Sequence, residues 1–213
     1  NIDWGNGEYY IKTEIDPAGG TNYTIQATSQ LLSVPYALYA KNVKNFKTYK
    51  VGDFAHGGIV FWVDESGQHG LVCAKTDQSA GIRWYAGTYA YALAKSDGPK
   101  AGLTNTVLII AKQGAGDSNP YAARLCNELK ITEGGITYGD WYLPSVSELH
   151  LMNQNKAAIN ATAAANGGTS IQDTYWSSND EDNNHADVYS FSLGVYQAVD
   201  KKNSYRVRAV RAF

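Results

Sequence analysis

Apolar residues change their spacing twice along this 213-residue chain. The first stretch, residues 1–33, reads as two strands around a turn. Tyr9-Tyr10-Ile11-Lys12-Thr13-Glu14-Ile15 runs into Asp16-Pro17-Ala18-Gly19-Gly20, and Asn22-Tyr23-Thr24-Ile25-Gln26-Ala27 follows with β-type residues. Ser33-Val34-Pro35 then opens a short helix to Asn42, with Ser33 as N-cap and Pro35 in the first turn. The polar, lysine-rich stretch 41–50 predicts a linker. Gly58-Ile59-Val60-Phe61-Trp62-Val63 and Gly70-Leu71-Val72-Cys73-Ala74 flank Asp64-Glu65-Ser66-Gly67-Gln68, the pattern of a hairpin with a short polar turn. The middle switches to helical spacing. Residues 104–113 are apolar at that spacing, and Ala122, Leu125, Cys126 and Leu129 form one stripe. Ser145-Val146-Ser147-Glu148 has the capping-box pattern, with Leu149 and Met152 expected to face inward. Residues 156–166 are alanine-rich, and Gly167-Gly168 stops them. From Thr174 onward alternation returns, in Val188-Tyr189-Ser190-Phe191 and again over residues 205–211. Strands, helices, strands: this order predicts an α+β domain whose terminal strands meet in one sheet. The expected division is residues 1–48, a hairpin plus short helix, and residues 49–213, the main domain.

Composition narrows the function classes. A net charge of −2 excludes a general phosphate-backbone binder, which needs a concentrated basic surface. No apolar run approaches the ~20 residues that span a bilayer. Neither Met nor a signal-peptide pattern opens the chain at Asn1, as expected of a processed chain or a fragment. The chain holds 16 Tyr and 21 Gly but one Met. Tyrosine and small polar residues dominate binding loops, and tyrosine also favours strands, so composition alone leaves both readings open.

Catalytic and metal patterns are sparse. His56, His69, His150 and His185 are scattered without metal-ligand spacing, and no phosphate-binding glycine loop or hydrolase elbow occurs. Cys73 and Cys126 are the only cysteines; a disulfide and two buried thiols both remain open. Asp180, Glu181 and Asp182 offer oxygen ligands for calcium on a loop, although the regular ligand spacing is missing and a solvated acidic loop is the competing reading. Lys201, Lys202, Arg206, Arg208 and Arg211 make the C-terminal end basic, and pairing with that acidic loop would account for them. No cofactor and no enzymatic activity are expected.

Three strings in order carry a family resemblance. Gly139-Asp140-Trp141-Tyr142-Leu143-Pro144-Ser145 with Glu148-Leu149, then Tyr175-Trp176-Ser177-Ser178, then Tyr205-Arg206-Val207-Arg208-Ala209-Val210-Arg211 resemble the C-terminal domain of the Legionella collagen-like adhesin. The resemblance spans about residues 50–213. It implies a C-type-lectin-like fold of the formylglycine-generating-enzyme type. Residues 20–25 and 31–40 look like a segment that precedes such domains in surface proteins of Bacteroidota. Trp176-Ser177-Ser178, Ala186, Phe191, Gly194, Lys201 and Arg206-Val207-Arg208 are spaced like the framework of variable proteins diversified by retroelements. The enzymatic branch uses a cysteine pair that Cys73 and Cys126 do not match in position, so its activity is not carried over. The calcium-and-sugar motifs of animal lectins are absent too, and fold alone does not dictate function.

The resemblance therefore implies a secreted or surface-displayed binding module that recognises a protein or glycan on another cell. Its expected contacts are Asn183, His185, Asp187, Tyr189, Tyr196 and Tyr205, with the three tyrosines exposed on one face. Trp141, Trp176, Phe191 and Val207 are expected in the core. The alternative is a structural subunit of a surface fibre or phage-tail-like assembly, a homo-oligomer joined through residues 1–48.

Overall fold

A computed structural model describes residues 8–31 and 46–213; the short helix expected over residues 33–42 lies outside them. Chain contacts divide the protein into two units, residues 1–46 and 47–213.

The described part of the first unit is a hairpin. Strands β1 (Tyr10–Ile15) and β2 (Ile25–Gln30) pair antiparallel from Tyr10↔Gln30 to Ile15↔Ile25. The turn is tied by Asp16, whose carboxylate accepts from the Ala18 and Asn22 amides, each at 2.9 Å. Directly opposed residues share a face. Ile11, Thr13, Ile15, Ile25, Ala27 and Ser29 therefore line one side, and Tyr10, Lys12, Glu14, Gln26, Thr28 and Gln30 the other. Every residue of both strands is exposed.

The second unit is α+β, as the order of patterns predicts. One four-stranded sheet runs β13-β5-β4-β3, from β3 (Phe54–Ala55), β4 (Gly58–Val63), β5 (Gly70–Cys73) and β13 (Val210–Ala212). The last strand thus joins the first ones, pairing Val210 with Cys73 and Ala212 with Leu71. A five-stranded sheet runs β11-β10-β9-β12-β6. Its strands are β6 (Ser79–Ile82), β9 (Thr174–Asp180), β10 (His185–Ser190), β11 (Val195–Asp200) and β12 (Tyr205–Val207). A small hairpin, β7 (Ile131–Glu133) with β8 (Ile136–Tyr138), stands apart.

Four helices fill the middle: α1 (Ala101–Gln113), α2 (Ala122–Asn127), α3 (Val146–Gln154) and α4 (Lys156–Ala165). Gly167, at φ 67°, follows α4 in the left-handed conformation that glycine adopts without steric cost.

Two apolar clusters make the core, and the strands stand between them. Val60, Val72 and Trp176 belong to one, with Trp84, Trp141, Tyr121 and Ile109. Ile59, Phe61, Leu71, Cys73 and Tyr175 belong to the other, with Leu149, Met152 and Tyr189. Strands buried on both faces read as continuous apolar runs rather than alternating ones, which is what residues 58–61 and 70–73 show. Cys73 and Cys126 are free buried thiols, one in each cluster, which decides the question of a disulfide.

The family-like string around Trp141 is a structural hub. Ser145 caps α3 in a full capping box with Glu148. Glu148 is itself fully buried, and its carboxylate also accepts from the Lys100 amide (2.8 Å), the Gly102 amide (3.3 Å) and the Tyr142 hydroxyl (2.8 Å). One carboxylate thus satisfies orphan amides at the starts of two helices. Burial drives its proton affinity up, and these hydrogen bonds pull it back. Gly102 is required by this close approach: a Cβ there would stand 2.5 Å from both Glu148 Oε2 and the Leu143 carbonyl oxygen.

Candidate functional site

Strand β9 is the spine from which the candidate site is built. Trp176 is fully buried and donates its indole N–H to the Ile82 carbonyl at 2.7 Å, while Trp84 donates to the Ser177 carbonyl at 2.9 Å. Ser178 accepts from Asn105, and Asn179 accepts from the Val146 amide at 2.8 Å, fastening the start of α3 to the strand. These residues hold the scaffold, as expected of Trp141, Trp176, Phe191 and Val207, all of which are buried.

The strand ends at Asp180, fully buried beside the fully buried Lys201 at 2.6 Å. The Lys201 ammonium also donates to the carbonyls of Ala90 (2.8 Å), Asp182 (2.6 Å) and Asn183 (3.2 Å), and lies 4.7 Å from the Trp84 ring centre. Asp180 accepts from the Ala92 amide at 2.5 Å. One buried cation therefore pins the loop of residues 83–100 and the β9–β10 turn together. Burial lowers the Lys201 pKa and raises that of Asp180, and their mutual contact opposes both shifts.

The three carboxylates named in the calcium reading each find a protein partner. Asp180 turns inward to Lys201, Glu181 pairs with Lys95 at 3.1 Å, and Asp182 turns back on its own loop. Asp182 accepts from the Asn184 and His185 amides, each at 2.7 Å, and from the His185 ring. The His185 ring and these amides hold its pKa down at about 2. The three carboxylates point to three different partners, and the described residues contain no His/Cys/Asp/Glu group arranged to hold a metal ion. The basic end is corrected in part. Lys201 does pair with the acidic stretch, but Arg206 and Arg208 pair with Asp77 and Arg211 with Asp140.

The structure separates the six expected contact residues. Asn183 sits exposed in the β9–β10 turn. On β10, His185, Asp187 and Tyr189 alternate with Ala186 and Val188, which face the first core cluster. On β11 the residues opposite them are Asp200, Ala198 and Tyr196, so these three cross-strand pairs share one face of the sheet. Tyr196 is 61% exposed.

Tyr189 is not exposed, and this is a correction. It retains 2% of its surface, packs edge-on against Phe191, and meets His150 Nδ1 through its hydroxyl at 3.0 Å. Helix α3 covers that end of the face, so Tyr189 is core. Asp187, expected as a contact on the same face, retains 7% of its surface. Tyr205 is half-buried two strands away and packs at 5.0 Å, edge to face, against Trp176. It therefore belongs to the opposite face of the sheet.

Sequence reasoning missed the loop of residues 83–100. Tyr85 and Tyr89 stack at 4.9 Å, and the Tyr89 hydroxyl donates to Asp200 at 2.6 Å, which brings the Asp200 pKa down to about 2. Leu93, next to the anchored Ala92, is 65% exposed in the left-handed conformation (φ 59°). The available signal was the tyrosine run Tyr85, Tyr89, Tyr91. It reads equally well as strand until the loop's anchors are known.

With this geometry in place, comparison with known families is decisive. The model of the Lcl C-terminal domain matches residues 73–211. The chain belongs to the Lcl C-terminal domain family. Membership is consistent with an adhesin-associated module in a surface context. The match takes in the Trp141, Trp176 and Arg206–Arg211 strings on which the sequence resemblance rests. A search of curated proteins finds no match. Among the described residues no helix is long and apolar enough to cross a membrane.

Proposed function

We propose that this Lcl-family domain is a secreted or surface-displayed adhesion module, C-type-lectin-like and of the formylglycine-generating-enzyme type in fold, that binds a partner through the β10–β11 edge rather than catalysing a reaction. The carrying observation is the outer edge of the five-stranded sheet. Leu193, Val195 and Tyr196 are 76%, 53% and 61% exposed on or beside the edge strand β11. An exposed apolar edge invites association, and proteins usually blunt such edges or cover them. Asn183 and His185 bring adaptable polar groups to the neighbouring turn, the mix found in binding loops. The thiols support binding over catalysis. Burial pushes Cys73 to about 12 and Cys126 up as well, so neither forms the thiolate that a nucleophile needs.

The test pairs cell adhesion with thermal unfolding. Tyr196→Ala should leave the melting temperature nearly unchanged and weaken adhesion by roughly tenfold or more, the loss typical of an aromatic anchor. Tyr189→Ala should instead cost about 3–5 kcal/mol of stability through lost core packing. Unaltered adhesion in a folded Tyr196→Ala variant rejects the proposed face.

A second reading keeps one observation of its own. The β1–β2 hairpin carries an apolar face with Ile11, Ile15 and Ile25 at 52%, 49% and 52% exposure. A lone hairpin is marginal in water. Assembly through residues 1–48, as a homo-oligomer or fibre subunit, would bury that face. Sedimentation of the full chain against a chain lacking residues 1–46 tests it: equal mass per particle rejects assembly through this segment.

A further inference from the structure

Asp187 is a carboxylate that the fold buries without pairing. It keeps 7% of its surface, yet no hydrogen bond or ion pair reaches its side chain. Its oxygens are not sealed from solvent. Buried polar groups are almost always satisfied by the protein or by ordered water, so a carboxylate that the protein leaves unpaired is open to water or to a ligand.

The groups around it have partners already. Glu181, Asp97 and Asp180 add negative charge, and Lys95 is the nearby cation. Lys95 is committed to Glu181, both to its carboxylate at 3.1 Å and to its carbonyl at 2.9 Å, and lies 5.7 Å from the Tyr91 ring centre. Asp97 takes the Ser147 amide and hydroxyl, and Asp180 takes Lys201. On the same sheet face, His185 turns to Asp182, and Asp200 to Tyr89 and Lys202. From α3, His150 turns to Tyr189. The local field is negative, and none of these cations answers Asp187.

The second observation is independent of charge. Ala198 stands directly opposite Asp187, and Tyr196, next along that face, is 61% exposed. An aromatic ring beside an unpaired carboxylate is the chemistry that recognises an ammonium or guanidinium group: the ring face attracts the cation while the carboxylate takes its N–H bonds. A divalent metal would need several convergent oxygen ligands, and the neighbouring carboxylates point elsewhere.

We propose that Asp187 and Tyr196 form a receptor for a lysine or arginine side chain presented by a protein partner. This rests on the binding face proposed above and names the chemistry it selects. A protein is favoured because Leu193, in the β10–β11 turn just before Tyr196, adds exposed apolar surface of the kind that a protein partner covers. The surrounding carboxylates and the burial that push the Asp187 pKa up to about 6 are what an incoming cation would relieve.

The experiment is a titration of the full chain, followed by NMR, with the blocked amides of lysine, arginine and norleucine. Saturable shifts at Asp187, Tyr196 and Ala198 are expected with lysine or arginine and not with norleucine. Asp187→Asn, whose fold is checked by thermal unfolding, should weaken the response by roughly tenfold, the worth of one charged hydrogen bond. The response should also fall roughly tenfold from about pH 7.5 to about pH 5 as the carboxylate protonates. Equal shifts with norleucine, or an undiminished response in Asp187→Asn, overturn the proposal. Loss of adhesion in Tyr196→Ala together with no cation response would sink the receptor and leave the binding face standing. A cation response with adhesion intact in Tyr196→Ala would do the opposite.

Discussion

Lys201 and Asp180 show how one residue pair governs a region that carries little regular structure. A buried pair is costly to desolvate, and breaking it by removing one partner costs more than replacing both. Lys201→Met should therefore destabilise the protein by about 3–5 kcal/mol in denaturant unfolding. Adding Asp180→Asn should recover a part of that loss, because no bare buried charge remains. A double variant as unstable as the single one would show that the carbonyl contacts of Ala90, Asp182 and Asn183 matter more. Asp187 presents the reverse case. Its pKa in the folded protein, about 6, lies above the usual 3.8. The fold therefore favours the protonated form, so this group's contribution is present below about pH 4 and is lost as pH rises through about 6. At neutral pH the charged group is a net burden. Asp187→Asn should raise stability there by about 1–3 kcal/mol and flatten the profile between about pH 4 and pH 6. An unchanged profile would mean that the carboxylate is ordinary.

At the scale of elements, the start of α3 concentrates the dependence on polar groups. Ser145 accepts from the Glu148 amide, and Glu148 returns a bond to the Ser145 amide at 2.8 Å. Ser145→Ala should lower stability by about 0.5–2 kcal/mol and leave partner binding intact. An unchanged melting temperature would locate the helix start elsewhere. The capping box was legible because its spacing is local: four consecutive residues decide it. Glu148's further bonds to Lys100 and Gly102 were not legible, since they join segments 46 and 48 positions apart. The same limit applies to β10. Alternation places His185, Asp187 and Tyr189 on one face, but it does not say that α3 covers the Tyr189 end and leaves Tyr196 open.

For the whole molecule, the division at residues 46 and 47 predicts two units of unequal independence. A chain of residues 47–213 should fold with a melting temperature close to that of the full protein, since the two apolar clusters lie entirely within it. Limited proteolysis should cut within residues 41–50 and spare β4, β5 and β12. Cutting inside residues 60–75 under native conditions would refute an intact unit. The hairpin alone lacks a covered apolar face, so its order should depend on whatever partner or copy it meets.

By itself the sequence determined the class of fold, the order of elements and the scaffold. Runs of buried strand, helical spacing and the capping box are local patterns, and local patterns survive in one dimension. The Trp141, Trp176 and Arg206–Arg211 strings also carried the family. Only the tertiary structure decided which tyrosine is core and which is surface. Tyr189 and Tyr196 are chemically the same residue on directly paired strands, and what separates them is a helix that lays His150, 39 positions earlier, over Tyr189. Tertiary contacts likewise put the Lys201 ammonium among the oxygens of the β9–β10 turn, and left Asp187 buried without a partner. Long-range placement sets exposure and charge environment, and those two quantities mark out a binding face.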